Sequence, residues 1–159
     1  LGRAPRGVID VAHRCPCGEP AVVRTSPVLP DGTPFPTTFY ATCPRLTAAI
    51  STLESSGVMA QMTQRLVTDP ELAARYESAH RAYLASRDEL GEVAVLRGIS
   101  AGGMPTRVKC LHVLIAHSLA AGPGVNPLGD EALDLLPRWW QDHPCTSDSA
   151  SDPIPRSEP

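Results

Sequence analysis

Cys15-Pro-Cys-Gly-Glu-Pro-Ala-Val-Val-Arg-Thr25 and Thr37-Thr-Phe-Tyr-Ala-Thr-Cys43 are the two stretches that decide the fold of this chain. Residues 21–25 carry β-branched side chains on both faces, and residues 37–42 form a second run of β-branched and aromatic residues. Between them, residues 27–36 are turn chemistry. Pro30-Asp-Gly32 suits a tight turn, and the further prolines cannot donate to a β-ladder. The two runs therefore read as one antiparallel hairpin over about 20–42. Cysteines stand at the entry of its first strand and the exit of its second, so both lie at one end of the hairpin. Upstream, residues 1–13 read as irregular, with 8–11 as a short strand at most.

Beyond the hairpin the pattern turns helical. Leu46, Ala49, Ile50 and Leu53 recur at helical spacing over 45–56, and Gly57 is placed to stop that helix. A second helix is predicted over 58–67. Thr68-Asp-Pro-Glu71 reads as a start signal, with Thr68 as N-cap, Pro70 in the first turn and Glu71 completing a capping box. The helix it opens runs to about residue 90 and buries Leu72, Tyr76, Ala79 and Tyr83. The form of residues 93–96 is left open. The most apolar helix is expected over 106–121, and a short one over 130–136. The fold class is thus α+β: a mostly helical single domain over 1–140, with one N-terminal hairpin joined to a late helix. The helices cover about 45–90 and 105–136. Residues 144–159 are rich in Ser, Asp and Pro and read as a disordered tail, with Cys145 at its edge.

The formal charge of −3 gives no basic footprint for nucleic acid. No apolar run approaches the roughly 20 residues that span a bilayer, so no membrane insertion is expected. Residues 1–7 lack the apolar core of a signal peptide. The expected location is cytoplasmic, where thiols stay reduced and clustered cysteines bind metal or do redox work instead of pairing as disulfides.

Four of the five cysteines sit at loop boundaries: Cys15, Cys17, Cys43 and Cys110. A tetrahedral thiolate site needs sulfurs about 2.3 Å from the metal, so its ligands must converge. The hairpin ends supply Cys15, Cys17 and Cys43, and the fourth ligand is expected from the late helix. In a regular helix each residue turns by about 100° and rises about 1.5 Å. Cys110 and His112 then face opposite ways, and His117 lies too far along the axis, so Cys110 is the preferred fourth ligand. A helix starting near Cys110 would reopen His112. A set of four thiolates suits structural zinc, and an iron–sulfur cluster is the alternative. The bland reading of Cys110, among Val108, Leu111 and Leu114, is a small buried hydrophobe. His13 is a candidate neighbour of the cysteine turn, while His80 and His143 are expected at the surface. Phe35, in the loop Asp31-Gly-Thr-Pro-Phe-Pro36, is expected to be exposed and available to a partner. Asp130 and Glu131 are expected to favour a helix N-terminus.

Arg14-Cys-Pro-Cys-Gly18, Asp31-Gly-Thr-Pro-Phe-Pro36, Thr42-Cys-Pro-Arg45, Ser100-Ala-Gly-Gly-Met-Pro105, Lys109-Cys-Leu-His112 and Ala121-Gly-Pro-Gly-Val-Asn-Pro-Leu-Gly-Asp130 together resemble the actinobacterial domain-of-unknown-function family 501. The resemblance spans roughly residues 1–140. It implies a cytoplasmic bacterial protein whose gene lies near those of a septum-formation-initiator-like protein and an exopolyphosphatase. That neighbourhood suggests work near cell division or polyphosphate metabolism. The resemblance also implies some residues ahead of Leu1.

Three functions remain in play. The first is a non-enzymatic module in which a four-cysteine metal site supports a surface that binds a protein partner. The second is an iron–sulfur or thiol redox protein. The third is a cysteine-dependent enzyme with Cys17 or Cys110 as nucleophile and His112 or His117 as base.

Overall fold

Residues 20–25 carry apolar or β-branched side chains on both faces, and such a strand is stable only when both faces are covered. In the computed structural model, which describes residues 6–141 and 145, this run is the central strand of a three-stranded antiparallel sheet. The strands are β1 (Val8–Arg14), β2 (Pro20–Thr25) and β3 (Phe39–Ala41), in the order β1-β2-β3. Ala21, Val22, Val23 and Thr25 are all buried. The expected hairpin is β2–β3, with Val22 opposite Ala41 and Arg24 opposite Phe39. Contrary to the irregular reading of residues 1–13, residues 8–14 form β1, a full strand. Irregularities at three points of its register let it follow β2. An Arg24–Asp10 ion pair ties the two strands.

Among the described residues five α-helices follow: α1 (Pro44–Glu54), α2 (Val58–Thr68), α3 (Pro70–Asp88), α4 (Leu111–Ala121) and α5 (Pro127–Asp134). Gly57 separates the first two at φ +84°, a conformation cheap only for glycine. The N-cap of α3 is Asp69, not Thr68. A residue before proline is held out of the helical region, so Asp69 is extended and its carboxylate accepts the Leu72 N–H at 3.0 Å. Leu72, Tyr76, Ala79 and Tyr83 are buried as expected. The hydroxyl of Tyr83 accepts the Thr38 N–H at 2.7 Å, which fixes the start of β3 against α3.

Two polar side chains of α3 are also buried. His80, expected at the surface, has Nδ1 2.9 Å from Ser100 Oγ. Arg87 donates to the carbonyls of Leu96 (2.9 Å) and Ile99, and so holds the turn around the short 3-10 helix Ala94–Leu96.

The late helix α4 begins at Leu111, five residues after the expected start. The amides that would open it earlier are already engaged. Arg107 and Lys109 N–H donate to the carbonyls of Gly103 and Gly102, and Val108 N–H donates to Thr63 Oγ1. Gly102 lies at φ +75°, and a Cβ there would press on Leu114 and Val113. Cys110 is therefore the extended N-cap of α4, outside the helix. Leu111 and Val113 to Ser118 are all buried, so α4 is covered all round. It packs against the sheet, α1 and α5. Among the described residues, no helix is long and apolar enough to cross a membrane.

Candidate metal centre

The site is built by two tight turns and one returning segment. The turn after β1 closes on itself: Cys15 N–H donates to the Glu19 carbonyl and Gly18 N–H to the Cys15 carbonyl, both at 2.8 Å. Arg14 also donates to the Gly18 carbonyl. Cys43 leaves β3 as the N-cap of α1, with Pro44 in the first helical position. The Thr42 N–H bonded to the Ala21 carbonyl keeps that exit beside the entry of β2. Cys15 and Cys43 are buried there together.

Their third companion is Cys145. Composition alone assigns it to the C-terminal tail, yet it is 5% exposed, and its sulfur lies 3.4 Å from that of Cys15. The thiol sulfurs of Cys15, Cys43 and Cys145 all fall within 4.8 Å of one another. Cys17 is exposed at the rim and interacts with both Cys15 and Cys145. The expected partner Cys110 does not join this cluster; it lies with Glu54 and His112 instead. The remaining residues of the expected tail, and His143, lie outside the described residues. Cys145 is thus the residue that sequence reasoning missed. Its signal is the apolar pair Trp139-Trp140 shortly before it, which continues the core beyond Pro137.

The geometry fits a thiolate-bound metal. A disulfide would need sulfurs about 2.05 Å apart, and all five cysteines are free. Sulfurs at the corners of a tetrahedron with 2.3 Å bonds stand about 3.8 Å apart, near the observed separation. The buried indole N–H of Trp139 has no hydrogen-bond partner and sits beside Cys15. A thiolate would give that donor the acceptor it lacks. Burial raises the thiols of Cys15 and Cys145 above the ordinary value, since a lone thiolate is poorly solvated there. Cys17 is pulled down to about 7, chiefly by the Glu19 backbone and then by Cys145. A cation amid the four would reverse the cost for the buried pair.

A second cluster joins Glu54, Cys110 and His112, again with ligand atoms within 4.8 Å. Glu54 is the last residue of α1, where a carboxylate opposes the helix dipole unless partnered. Here it accepts the Leu111 N–H at 2.6 Å and faces His112 Nδ1 at 3.2 Å. Because Cys110 lies outside the helix, it and His112 meet despite their spacing of two.

His117 takes no part in either cluster. It is fully buried, stacked on Phe39 at 5.6 Å and edge-on to Tyr83. Asn126 donates to its Nδ1 at 3.3 Å, which leaves the proton on Nε2, buried and unpartnered. Burial therefore holds its pKa down to about 4. Since the native state resists a proton that the unfolded chain accepts below about 6.5, stability is full above that pH and falls as pH drops toward 4. His117 contributes a loss of about 2 kcal/mol between pH 7 and 5, which the raised pKa of His112 offsets in part. Urea unfolding of the protein and of His117→Gln at both pH values measures it, as the difference between their two pH dependences. Phe35, expected to be exposed, is half-buried, its N–H bonded to the Pro27 carbonyl. Asp130 accepts the Gly124 N–H, while Glu131 pairs with Arg65.

No curated protein and no solved structure matches the chain. A family profile described as protein of unknown function (DUF501) matches residues 11–134, a span that includes Cys15, Cys17, Cys43 and the whole Glu54–Cys110–His112 cluster but stops short of Cys145. With most of its length matched, the chain belongs to the DUF501 family.

Proposed function

We propose that the protein is a metal-held interaction module in which Cys15, Cys17, Cys43 and Cys145 bind one zinc ion. The observation that carries this reading is the convergence of three buried thiols from three separate parts of the chain, with a fourth at their rim. Without a metal these buried sulfurs have chiefly one another, as in the 3.4 Å contact of Cys15 with Cys145. With zinc, the cluster fastens the start of β2, the end of β3 and the C-terminal segment at one point. Free thiols suit a reducing compartment, and the reading assigns the protein to the cytoplasm.

The partner-binding side of the proposal is supported by β1. It is an edge of the sheet, and Val8, Ile9 and Val11 are exposed along it. An extended peptide segment from another protein could add there as a further strand.

Metal analysis of protein purified without oxygen tests the site. One equivalent of zinc in colourless protein, with a lower unfolding midpoint on chelation, is the expected result. Less than a tenth of an equivalent of any metal would overturn it. Brown protein containing iron and sulfide would replace zinc with a cluster.

A further inference from the structure

A cavity of about 490 Å³ opens between β3, α1 and the start of α4, and Cys110 and His112 stand in its wall. We propose that Cys110 is a nucleophile, paired with His112 and positioned by Glu54, that takes an uncharged acyl group delivered to this cavity as an ester or thioester. The site is independent of the zinc reading and shares no residue with it.

The arrangement has the three parts that an activated thiol needs: a sulfur, an imidazole within reach of it, and a carboxylate that fixes the imidazole. Both ring nitrogens of His112 face acceptors. Nδ1 faces the Glu54 carboxylate at 3.2 Å, and Nε2 faces the Thr47 carbonyl at 3.3 Å with Ser51 Oγ at 3.5 Å. Two acceptors favour the doubly protonated ring, a cation beside the thiol. In keeping with that geometry, His112 is raised to about 9, first by the neighbouring Cys110 and then by Glu54. Glu54 is itself locked by the Leu111 N–H. Cys110 is the extended N-cap of α4, which places its sulfur in the wall of the cavity beside His112.

The cavity sets the substrate class. Phe39, Ala41 and Val113 supply apolar wall, and Thr37, Thr47 and Ser51 supply hydroxyls. Apart from the Cys110–His112 pair itself, no charged side chain lines it among the described residues, which suits an uncharged chain ending in a carbonyl. In the step itself, the Cys110 thiolate attacks the carbonyl carbon and the bond to the leaving group breaks. The leaving alcohol or thiol takes the proton from His112, and a thioester on Cys110 results. Water gives one proton to neutral His112 and its hydroxyl to the acyl carbon, the C–S bond breaks, and the carboxylic acid leaves with the thiolate and protonated His112 restored.

The test uses the full chain as purified, with iodoacetamide and para-nitrophenyl butyrate, each adduct mapped to its peptide by mass so that Cys110 is read apart from Cys17. Cys110 should be alkylated faster than free cysteine, and a butyryl adduct should form on it with release of nitrophenolate. His112→Gln should slow both reactions by about a hundredfold. Glu54→Gln should slow them by about tenfold and should move the alkaline limit of the rate to lower pH. The titratable groups facing His112 are Glu54 and Cys110, with Tyr40 in the cavity wall. The proposal is overturned if wild-type Cys110 reacts no faster than free cysteine, a measurement that needs no variant. It is overturned equally if alkylation with no acyl adduct is seen, or if a metal on Glu54, Cys110 and His112 blocks reaction until chelation.

Discussion

Serine in place of Cys145 is expected to weaken zinc binding at least about 100-fold, whereas serine in place of Cys110 should leave it unchanged. The two cysteines are well matched for this comparison. Both lie far along the sequence from the Cys-Pro-Cys turn of residues 15–17, yet only Cys145 puts its sulfur 3.4 Å from Cys15. Losing one thiolate leaves a buried hydroxyl that neither neutralises the metal nor matches its softness. The stability effect follows by mass action. Zinc at about 1,000 times its dissociation constant adds about 4 kcal/mol to the folded state, and a 100-fold weaker site forfeits most of that. For a chain of this size the midpoint of thermal unfolding should fall by about 10 °C. Competition against a chromophoric chelator gives the affinity, and scanning calorimetry gives the midpoint. If Cys110→Ser weakens binding and Cys145→Ser does not, the four-cysteine site drawn here is wrong.

What can be read beforehand depends on how local the determining contacts are. β2, β3 and the helices α1 to α3 follow from periodicity, glycine stops and prolines, all of which act within a few residues. Cys15 and Cys43 can be paired because a hairpin brings its own ends together, which needs no long-range information. The two failures share a cause. The start of α4 moves because the amides of Arg107, Val108 and Lys109 bond to a glycine turn and to Thr63, partners set by tertiary packing. That shift leaves Cys110 outside the helix, where it meets Glu54 and His112. Cys145 escapes notice because the polar composition of 146–159 outweighs the tryptophans before it. Glu54 leaves a fainter trace, as a carboxylate ending a helix that should disfavour it. The burial of Arg87 leaves none, since its partners are backbone carbonyls that any sequence would supply.

Alanine in place of Gly129 should destabilise the protein by at least about 3 kcal/mol, although the exchange would ordinarily favour a helix by about 0.5–1 kcal/mol. Gly129 lies in the first turn of α5 and needs no unusual backbone angle, so conformational freedom does not explain it. The reason is contact. A Cβ built there would lie 2.9 Å from the carbonyl carbon of Leu114, and closer still to that carbonyl's oxygen and to Ser118 Oγ. A flexible side chain could swing aside, but a mid-helix carbonyl of α4 cannot move without its neighbours. The junction is already fixed from both sides. Asn126 Oδ1 accepts the Gly129 N–H at 3.0 Å, Ser118 Oγ donates to the Asn126 carbonyl at 3.3 Å, and the Asn126 amide holds His117. Relief therefore requires α5 to part from α4 and opens the core around Leu128 and Ala132, both fully buried. Urea and thermal unfolding measure the loss, which should lower the midpoint by about 6–12 °C. A neutral or stabilising alanine would show that the helices are not packed at this distance. Zinc affinity adds a second readout: α5 leads into the segment that carries Cys145, so parting α5 from α4 should also weaken zinc binding in any folded Gly129→Ala protein. Disturbance confined to α4 would instead reach Cys110 and His112, lowering the alkylation rate of Cys110 while the metal stays in place.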